Sequence, residues 1–209
     1  MYVLAKSVLA LMIGFMASVI LGLILIPWLR KLKIGQRTSI FVKAHEKKSG
    51  TPTMGGIIFI LSTIITILVL YFTNKLKISS NLLIILFVFF GYGLIGFVDD
   101  FLKVKYKCNE KGLTRMQKFL AQVVIAIMFF YVYIRNGSNP EIEIYALHLK
   151  INLGFMYGFF ILFMLVGTSN AVNLTDGLDG LAAGLSAIAI MVYGMIAWNS
   201  GWLAGYDDV

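Results

Sequence analysis

Six long apolar runs interrupt this chain and limit what it can fold into. They cover about residues 7–29, 54–73, 82–98, 119–134, 153–168 and 180–198. A helix needs about 20 apolar residues to cross a hydrocarbon core of ~30 Å, and these runs reach or approach that length. They are continuously apolar, whereas the strands of a membrane barrel alternate every second residue. The pattern predicts an all-α polytopic membrane protein with six transmembrane helices, forming a single integral membrane domain over residues 1–209.

Composition excludes an ordinary soluble globular domain. Hydrophobic residues make up 59% of the chain and charged residues only 13%, whereas charged residues are about a quarter of a typical soluble domain. Cys108 is the only cysteine, which excludes an intrachain disulfide and a thiolate metal cluster. Between the fourth and fifth runs, the alternating stretch IEIYALHLKI predicts a small extracytoplasmic β-hairpin near 141–152.

Lysine and arginine residues are concentrated in two alternate loops. Of the 18 in the chain, seven lie between Arg30 and Gly50 and six between Lys103 and Lys118. Because cytoplasmic loops carry such an excess, we expect these loops and residues 169–179 to be cytoplasmic and the N-terminus to be outside. The net charge of +8 then lies mainly on a face that would attract anionic headgroups or phosphorylated substrates.

The first polar cluster on this face is HEKKSGTPTMGGI, residues 45–57. Pro52 and the glycines indicate a turn that leads into the second span. In one interpretation Thr51 and Thr53 only cap the helix that follows. In the other, glycine-rich backbone at a helix N-terminus, together with Lys48, forms an anion site. The spacing of a Walker A loop is absent.

The second cluster contains an acidic pair, Asp99 and Asp100, directly after the third apolar run. Lys103 lies within reach of either carboxylate on one helical face, so a salt-bridged helix end is one interpretation. However, acidic groups are unfavourable at a helix C-terminus. Mg²⁺ is usually held by one or two carboxylates together with substrate phosphate oxygens. The pair therefore favours a magnesium–phosphate site, with Asp99 and Asp100 as ligands.

The third cluster is the stretch NAVNLTDGLDGLA. If this stretch is helical, Asp176 and Asp179 share a face, and Gly177 leaves that face uncluttered. Asn173 offers an amide that suits a planar base edge. The alternative is a turn between two spans that is capped by Asn170 or Asn173.

Taken together, the clusters predict a membrane enzyme or transporter that handles a phosphorylated substrate with Mg²⁺. A cation-coupled membrane transporter is the alternative of a different class. Its carboxylates would be expected near the middle of the membrane spans. In this chain, acidic residues lie at span ends or in loops, which favours the enzyme.

Three stretches of the chain resemble a known family. These are TPTMGGI (51–57), FVDDFLKV (97–104) followed by KGL (111–113), and NAVNLTDGLDGLA (170–182). They resemble the polyprenyl-phosphate hexosamine-1-phosphate transferase superfamily, and within it the phospho-N-acetylmuramoyl-pentapeptide transferases (the MraY translocases). The acidic pair and the DGLDG element are common to the superfamily, whereas TPTMGG and NLTDGLDGLA point to this member.

The resemblance implies a Mg²⁺-dependent transfer of phospho-MurNAc-pentapeptide from UDP-MurNAc-pentapeptide to undecaprenyl phosphate, giving lipid I and UMP. This is the first membrane step of peptidoglycan synthesis, on the cytoplasmic side of the bacterial inner (plasma) membrane. Members have ten helices, form homodimers among membrane lipids, bind no nucleic acid and are targets of nucleoside natural-product inhibitors. A sibling transferase that uses UDP-GlcNAc is the alternative within the enzyme class.

The resemblance also implies roles for individual residues. Asp99 and Asp100 match the catalytic pair: Asp99 would assist attack by the lipid phosphate, unless a covalent aspartyl intermediate forms. Substrate-binding positions carried over in the same way are Lys48, Thr53, Lys103, Lys107, Lys111, Asn173, Asp176, Gly177, Leu178 and Asp179.

One departure from the family pattern is large. A later metal-binding motif, approximately F-M-G-D-x-G-S, and a histidine-rich cytoplasmic loop are absent from these 209 residues. The resemblance therefore implies the N-terminal portion of such an enzyme, which we expect to be inactive alone.

Overall fold

Six helices and a two-stranded sheet make up the residues that the computed structural model describes, which are 2–31, 53–106, 111–144, 147–177 and 180–199. The elements are α1 (Tyr2–Lys31), α2 (Gly56–Phe72), α3 (Ser80–Tyr106), α4 (Arg115–Arg135), β1 (Glu141–Ile144), β2 (Leu149–Asn152), α5 (Met156–Thr175) and α6 (Leu181–Asn199). Each predicted span corresponds to one helix, so the largely α-helical class is confirmed.

The chain is a multi-pass membrane protein. Four of its described helices are long and apolar enough to cross a membrane: Leu4–Lys31 within α1, and all of α3, α4 and α5. The helix α2 and the Leu181–Ile196 part of α6 are apolar but shorter, so six crossings and a ten-helix fold remain predictions. Large apolar side chains face outward, as Leu23 does at 73% exposure, and such surfaces are typical of contact with lipid.

Two helices continue well past the ends that hydropathy predicts. α3 runs to Tyr106 and α5 runs to Thr175, although their apolar runs stop near 98 and 168. The polar residues that follow contain no proline to break the helix, so the backbone hydrogen bonding continues into the polar region. As a result, Asp99 and Asp100 lie within the last turns of α3.

Residues 4–121 form one compact unit, which contains α1 to α3 and the start of α4. Glycines permit close helix contacts in it. A Cβ added at Gly93 would lie 2.8 Å from Ile60 Cδ1, and one at Gly14 would lie 3.3 Å from Thr66 Oγ1. Small residues of this kind are typical of helix interfaces in membranes, where close packing drives association.

The second unit begins at Gln122 and contains the rest of α4, the hairpin, α5 and α6. A Cβ added at Gly158 of α5 would lie 2.9 Å from the ring of Phe130 on α4. The rings of Tyr133 and Tyr157 stack with centroids 5.6 Å apart. The first half of α5 therefore packs closely on the second half of α4.

The predicted hairpin near 141–152 is confirmed. The strands β1 and β2 pair antiparallel, with Glu141 opposite Asn152 and Ile144 opposite Leu149. Residues 145–146 lie outside the described part of the chain. The alternation of apolar and polar residues was the correct signal, because successive side chains of a strand point to opposite faces.

Candidate active site

Asp99, near the end of α3, is held by two lysines and a backbone N–H group. The residue is only 5% exposed. Its Oδ2 accepts hydrogen bonds from Lys103 Nζ at 2.7 Å and Lys118 Nζ at 2.6 Å. Its Oδ1 accepts one from the N–H of Leu113 at 2.8 Å. A carboxylate has about four lone-pair sites, so these donors occupy most of the acceptor capacity of Asp99.

The start of α4 explains how Lys118 reaches this carboxylate. Thr114 and Gln117 form a capping box: the N–H of Thr114 donates to Gln117 Oε1 at 2.9 Å, and the N–H of Gln117 donates to Thr114 Oγ1 at 3.2 Å. Such a box stabilises a helix N-terminus and places Lys118 in the first turn. A cation there is unfavourable with respect to the helix dipole, and the carboxylate of Asp99 compensates it.

Asp100 lies in a more open environment than Asp99. Its side chain is 30% exposed, and its Oδ1 is 3.5 Å from Lys103 Nζ. Its Oδ2 accepts a hydrogen bond from the N–H of Met54 at 3.1 Å. Lys103 therefore contacts both carboxylates, as its spacing predicted. With fewer and longer contacts among the described residues, Asp100 keeps more free acceptor capacity than Asp99.

The turn before α2 presents its backbone and Thr53 to this region. Met54 has a φ of 69°, a left-handed conformation that is uncommon outside glycine. Thr53 Oγ1 is buried and has no hydrogen-bond partner among the described residues, so the interpretation of Thr53 as a cap of α2 is wrong. Buried hydroxyls normally have partners, so this one is a candidate contact for a ligand.

Lys111 lies beside the last residue of α3. Its Nζ is 5.4 Å from the ring centroid of Tyr106, and Lys105 Nζ is 5.8 Å from the same centroid. Both distances are typical of cation–π contacts. Of the basic residues predicted to contact substrate, Lys103 thus contacts the acidic pair. Lys111 instead lies over the ring of Tyr106, the last residue of α3.

The acidic pair fits a magnesium site that is shared with a substrate. Over the described ranges, no group of three or more His, Cys, Asp or Glu side chains is arranged to hold a metal ion. Asp99 and Asp100 supply two carboxylates, and Asp100 has the freer oxygens. Because Mg²⁺ usually takes one or two carboxylates plus phosphate oxygens and water, two are sufficient only if a phosphorylated ligand completes the coordination.

A second group of predicted residues lies at the end of α5. Asn173 is in the last turn, Asp176 is the C-cap with φ −78° and ψ 47°, and Gly177 follows in the turn. All three are exposed. α5 ends at Thr175, and Asp176 and Gly177 lie in a turn, so the helical geometry on which a face shared with Asp179 depended does not extend to Asp176. An acid at a helix C-terminus is unfavourable, so helix stability does not explain Asp176.

Four predicted site residues lie outside the described residues. They are Lys48, Lys107, Leu178 and Asp179. Their roles rest on the motif resemblance alone.

Asn170 is not a cap, because it lies inside α5. Its Nδ2 donates to Gln122 Oε1 of α4 and to the Val166 carbonyl oxygen, both at 2.8 Å. Gln122 is 7% exposed, and its Nε2 is 3.4 Å from Ser169 Oγ. Hydrogen bonds of this kind join helices inside membranes. This amide pair ties α4 to α5 one turn before Asn173.

Three groups around the acidic pair had not been predicted: Lys118, the N–H of Leu113 and the N–H of Met54. Lys118 did have a signal, since T-x-x-Q before an apolar run marks a helix start and a cation in the first turn calls for an acidic partner. The two backbone donors had no such signal in the sequence, because their positions depend on the conformations of the turns before α2 and α4.

Gly112 allows the turn before α4 to approach Asp99. A Cβ at this position would collide with Asp99 Oδ1 and would lie 2.8 Å from Lys103 Cε. We expect Gly112→Ala to lower the free energy of unfolding by about 1–2 kcal/mol, because overpacking moves groups that are already held by hydrogen bonds. Unfolding in detergent micelles measures this change.

Gly96→Ala is the matched control. Gly96 lies on α3 close to the acidic pair, and an added Cβ there would meet nothing within 4 Å. Glycine to alanine in a helix interior stabilises by roughly 0.5–1 kcal/mol. The two substitutions should therefore change the free energy of unfolding in opposite directions. Equal changes would contradict the role given to Gly112.

Comparison with known proteins identifies relatives for most of the chain. The family described as glycosyl transferase family 4 matches residues 82–206. The phospho-N-acetylmuramoyl-pentapeptide-transferase signature 1 matches residues 48–60. The first stretch contains the acidic pair and the end of α5, and the second contains Lys48 and Thr53.

Individual relatives are similar over nearly the whole chain. A phospho-N-acetylmuramoyl-pentapeptide-transferase of Geobacillus sp. (strain WCH70) is 51% identical over 196 residues, which are 93% of this chain and 60% of the relative. Its counterpart in Bacillus subtilis (strain 168) is 50% identical over 191 residues, or 90% of this chain and 58% of the relative. The chain thus spans about 60% of the length of these relatives.

These matches confirm the family resemblance drawn from the three motifs. The family match covers more than half of the chain and both units, and the signature match falls on the glycine-rich turn that distinguishes one branch. This chain therefore belongs to glycosyl transferase family 4, on the branch that carries the phospho-N-acetylmuramoyl-pentapeptide-transferase signature.

Proposed function

We propose that this chain is part of an enzyme that transfers phospho-MurNAc-pentapeptide from UDP-MurNAc-pentapeptide to undecaprenyl phosphate, giving lipid I and UMP. The observation that carries the proposal is the acidic pair at the end of α3, which lies beside Lys103, Lys118 and the turn before α2. Relatives that share half of its sequence are named for this activity.

In the proposed reaction, an oxygen of undecaprenyl phosphate attacks the phosphorus atom that is linked to the sugar. A new phosphorus–oxygen bond forms, the bond to UMP breaks, and UMP leaves with the electron pair. The attacking phosphate must be deprotonated and both phosphate groups must be held together, because positioning and charge compensation supply most of the catalysis in phosphoryl transfer.

The two carboxylates are suited to different parts of this task. Asp100, with its side chain 30% exposed, is the better placed to contact phosphate, a proton or a metal ion. Asp99 is buried and accepts three hydrogen bonds, so it is suited to positioning Lys103 and Lys118. The lysines in turn would approach the negatively charged phosphates, with Thr53 Oγ1 as a further donor from the turn before α2.

We also propose that the acidic pair binds Mg²⁺. Asp100, with Asp99 beside it, would hold Mg²⁺ together with phosphate oxygens of the substrate, and the bound ion would offset the charge of the pyrophosphate.

The end of α5 would recognise the nucleotide. Asn173 and Asp176 are exposed there, where their amide and carboxylate can hydrogen-bond uracil and ribose. The family motifs suggest further substrate contacts, and we propose these for Gly177, Leu178, Asp179, Lys48, Lys107 and Lys111.

We further propose one integral membrane domain in the bacterial inner membrane, with a cytoplasmic site, an outside N-terminus and a homodimeric assembly.

The test is an assay of the complete enzyme that carries this chain, reconstituted in vesicles. We expect lipid I and UMP to form from UDP-MurNAc-pentapeptide and undecaprenyl phosphate, and formation to stop when EDTA removes Mg²⁺. Excess Mg²⁺ should restore it. Lipid I formation that is unchanged in EDTA would contradict the magnesium assignment. The 209 residues alone should bind nucleotide without completing the transfer.

The same assay separates the alternatives. Preference for UDP-GlcNAc over UDP-MurNAc-pentapeptide would indicate the sibling transferase. A cation flux across the vesicle membrane that depends on Asp176, without lipid product, would indicate a transporter instead.

A further inference from the structure

The hairpin formed by β1 and β2 has one polar face and one apolar face. On the polar face, Lys150 Nζ is 3.1 Å from Glu143 Oε1, and Asn152 Nδ2 donates to Glu141 Oε1 at 3.3 Å. Side chains of a strand alternate between its faces. The other face, here called the apolar face, carries Ile142, Ile144, Leu149 and Ile151.

The described part of the chain leaves the apolar face open. Ile144 is 37% exposed, Leu149 is 45% exposed and Ile151 is 39% exposed, while Leu147 next to the strands reaches 70%. An isolated two-stranded hairpin is only marginally stable in water. Contiguous exposed apolar side chains with a polar rim are typical of a surface that binds a partner or a membrane.

The hairpin is tied closely to two membrane helices. α4 ends at Arg135 and β1 begins at Glu141, while β2 ends at Asn152 and α5 begins at Met156. Because these links are short, the hairpin lies close to the membrane boundary at which α4 ends and α5 begins.

Hydrogen bonds also hold these links close to α4 and to each other. Tyr133 Oη of α4 donates to the Asn139 carbonyl oxygen at 3.1 Å. The N–H of Leu153 donates to the Pro140 carbonyl oxygen at 2.9 Å, which closes the base of the hairpin. The hairpin therefore begins at the level of the last turn of α4 rather than at the end of a long tether.

Aromatic side chains mark that same level as a membrane interface. Tyr133 stacks on Tyr157 of α5 at 5.6 Å between centroids. Arg135 Cζ lies 5.4 Å from the ring centroid of Tyr131. Tyrosines are enriched where a protein crosses from hydrocarbon to water, and arginine side chains extend to the same region.

We propose that the apolar face of the hairpin docks on the lipid surface of the leaflet in which α4 ends and α5 begins. Ile144, Leu149 and Ile151 would insert at the boundary between headgroups and acyl chains, and the ion-paired polar face would remain in water. Such docking depends on membrane insertion alone and not on the proposed transferase activity.

The test uses nitroxide labels on single cysteines in the full chain. Cys108→Ser removes the native thiol, and the matched set is Leu149→Cys, Lys150→Cys and Ile151→Cys, in vesicles of phosphatidylcholine and phosphatidylglycerol. We expect labels at positions 149 and 151 to collide often with oxygen and rarely with a water-soluble nickel chelate. The label at position 150 should show the reverse.

Two results would overturn the proposal. Frequent collisions with nickel at positions 149 and 151 would place the face in water. Rare collisions with both reagents would place it against protein, such as a second copy of the chain. Ile144→Cys, on the same face but the opposite strand, repeats the measurement, and circular dichroism confirms that each labelled chain keeps its helices.

Discussion

Asp100→Asn is expected to reduce transferase activity of the complete enzyme by roughly 10²–10⁴-fold, the contribution typical of a positioned acid–base group. Asparagine keeps the shape of the side chain and an oxygen that can still accept the Met54 N–H, a bond of 3.1 Å in this structure. The free energy of unfolding should therefore change by less than about 1 kcal/mol. Lipid I formation and unfolding in micelles are measured on the same preparation.

Asp99→Asn should lose both activity and stability. The amide keeps a single acceptor oxygen, and its NH₂ group would face lysine ammonium groups that lie at 2.6 and 2.7 Å from the carboxylate. Hydrogen bonds to a charged group contribute roughly 1.5–3 kcal/mol, so a loss of that order is expected. Full activity in either variant would contradict the catalytic assignment. Equal stability losses would contradict the division of roles between Asp99 and Asp100.

The positions of the helices could be predicted because each is a continuous apolar run. Their ends could not, since hydropathy reports where lipid surrounds a helix and not where its hydrogen bonding stops. Asp99 and Asn170 illustrate this: both follow apolar runs, yet both lie within helices. The hairpin was predictable because alternation of apolar and polar residues, as in its two strands, is typical of a strand and does not fit the period of a helix.

Within the candidate site, contacts along one helix were predictable and contacts between segments were not. Lys103 lies four residues after Asp99 on the same helix, so its ion pair at 2.7 Å follows from helix geometry. The N–H of Met54, in contrast, reaches Asp100 across 46 positions of sequence. Met54 adopts a left-handed conformation in its turn, and no periodic pattern encodes such a conformation.

Lys118→Met is expected to lower the free energy of unfolding by roughly 1.5–3 kcal/mol, because it removes one of three donors from a buried carboxylate. The Lys118 side chain is 36% exposed, which places the effect toward the lower end of that range. Activity of the complete enzyme should fall as well, since Asp99 keeps its contacts with Lys103 and the Leu113 N–H but loses the ion pair that joins the first turn of α4 to the end of α3. Micelle unfolding and lipid I formation test both expectations.

Lys105→Met is the matched control, because Lys105 is exposed at the same helix end and its Nζ lies 5.8 Å from the centroid of the Tyr106 ring. Surface contacts of this kind contribute little, so its stability should stay within about 0.5 kcal/mol of the parent. Lys118→Arg keeps the charge and should retain most of the stability. In the double variant with Asp99→Asn, the losses should not add, because each substitution breaks the same ion pair. Additive losses would mean that Lys118 stabilises the chain through some contact other than Asp99.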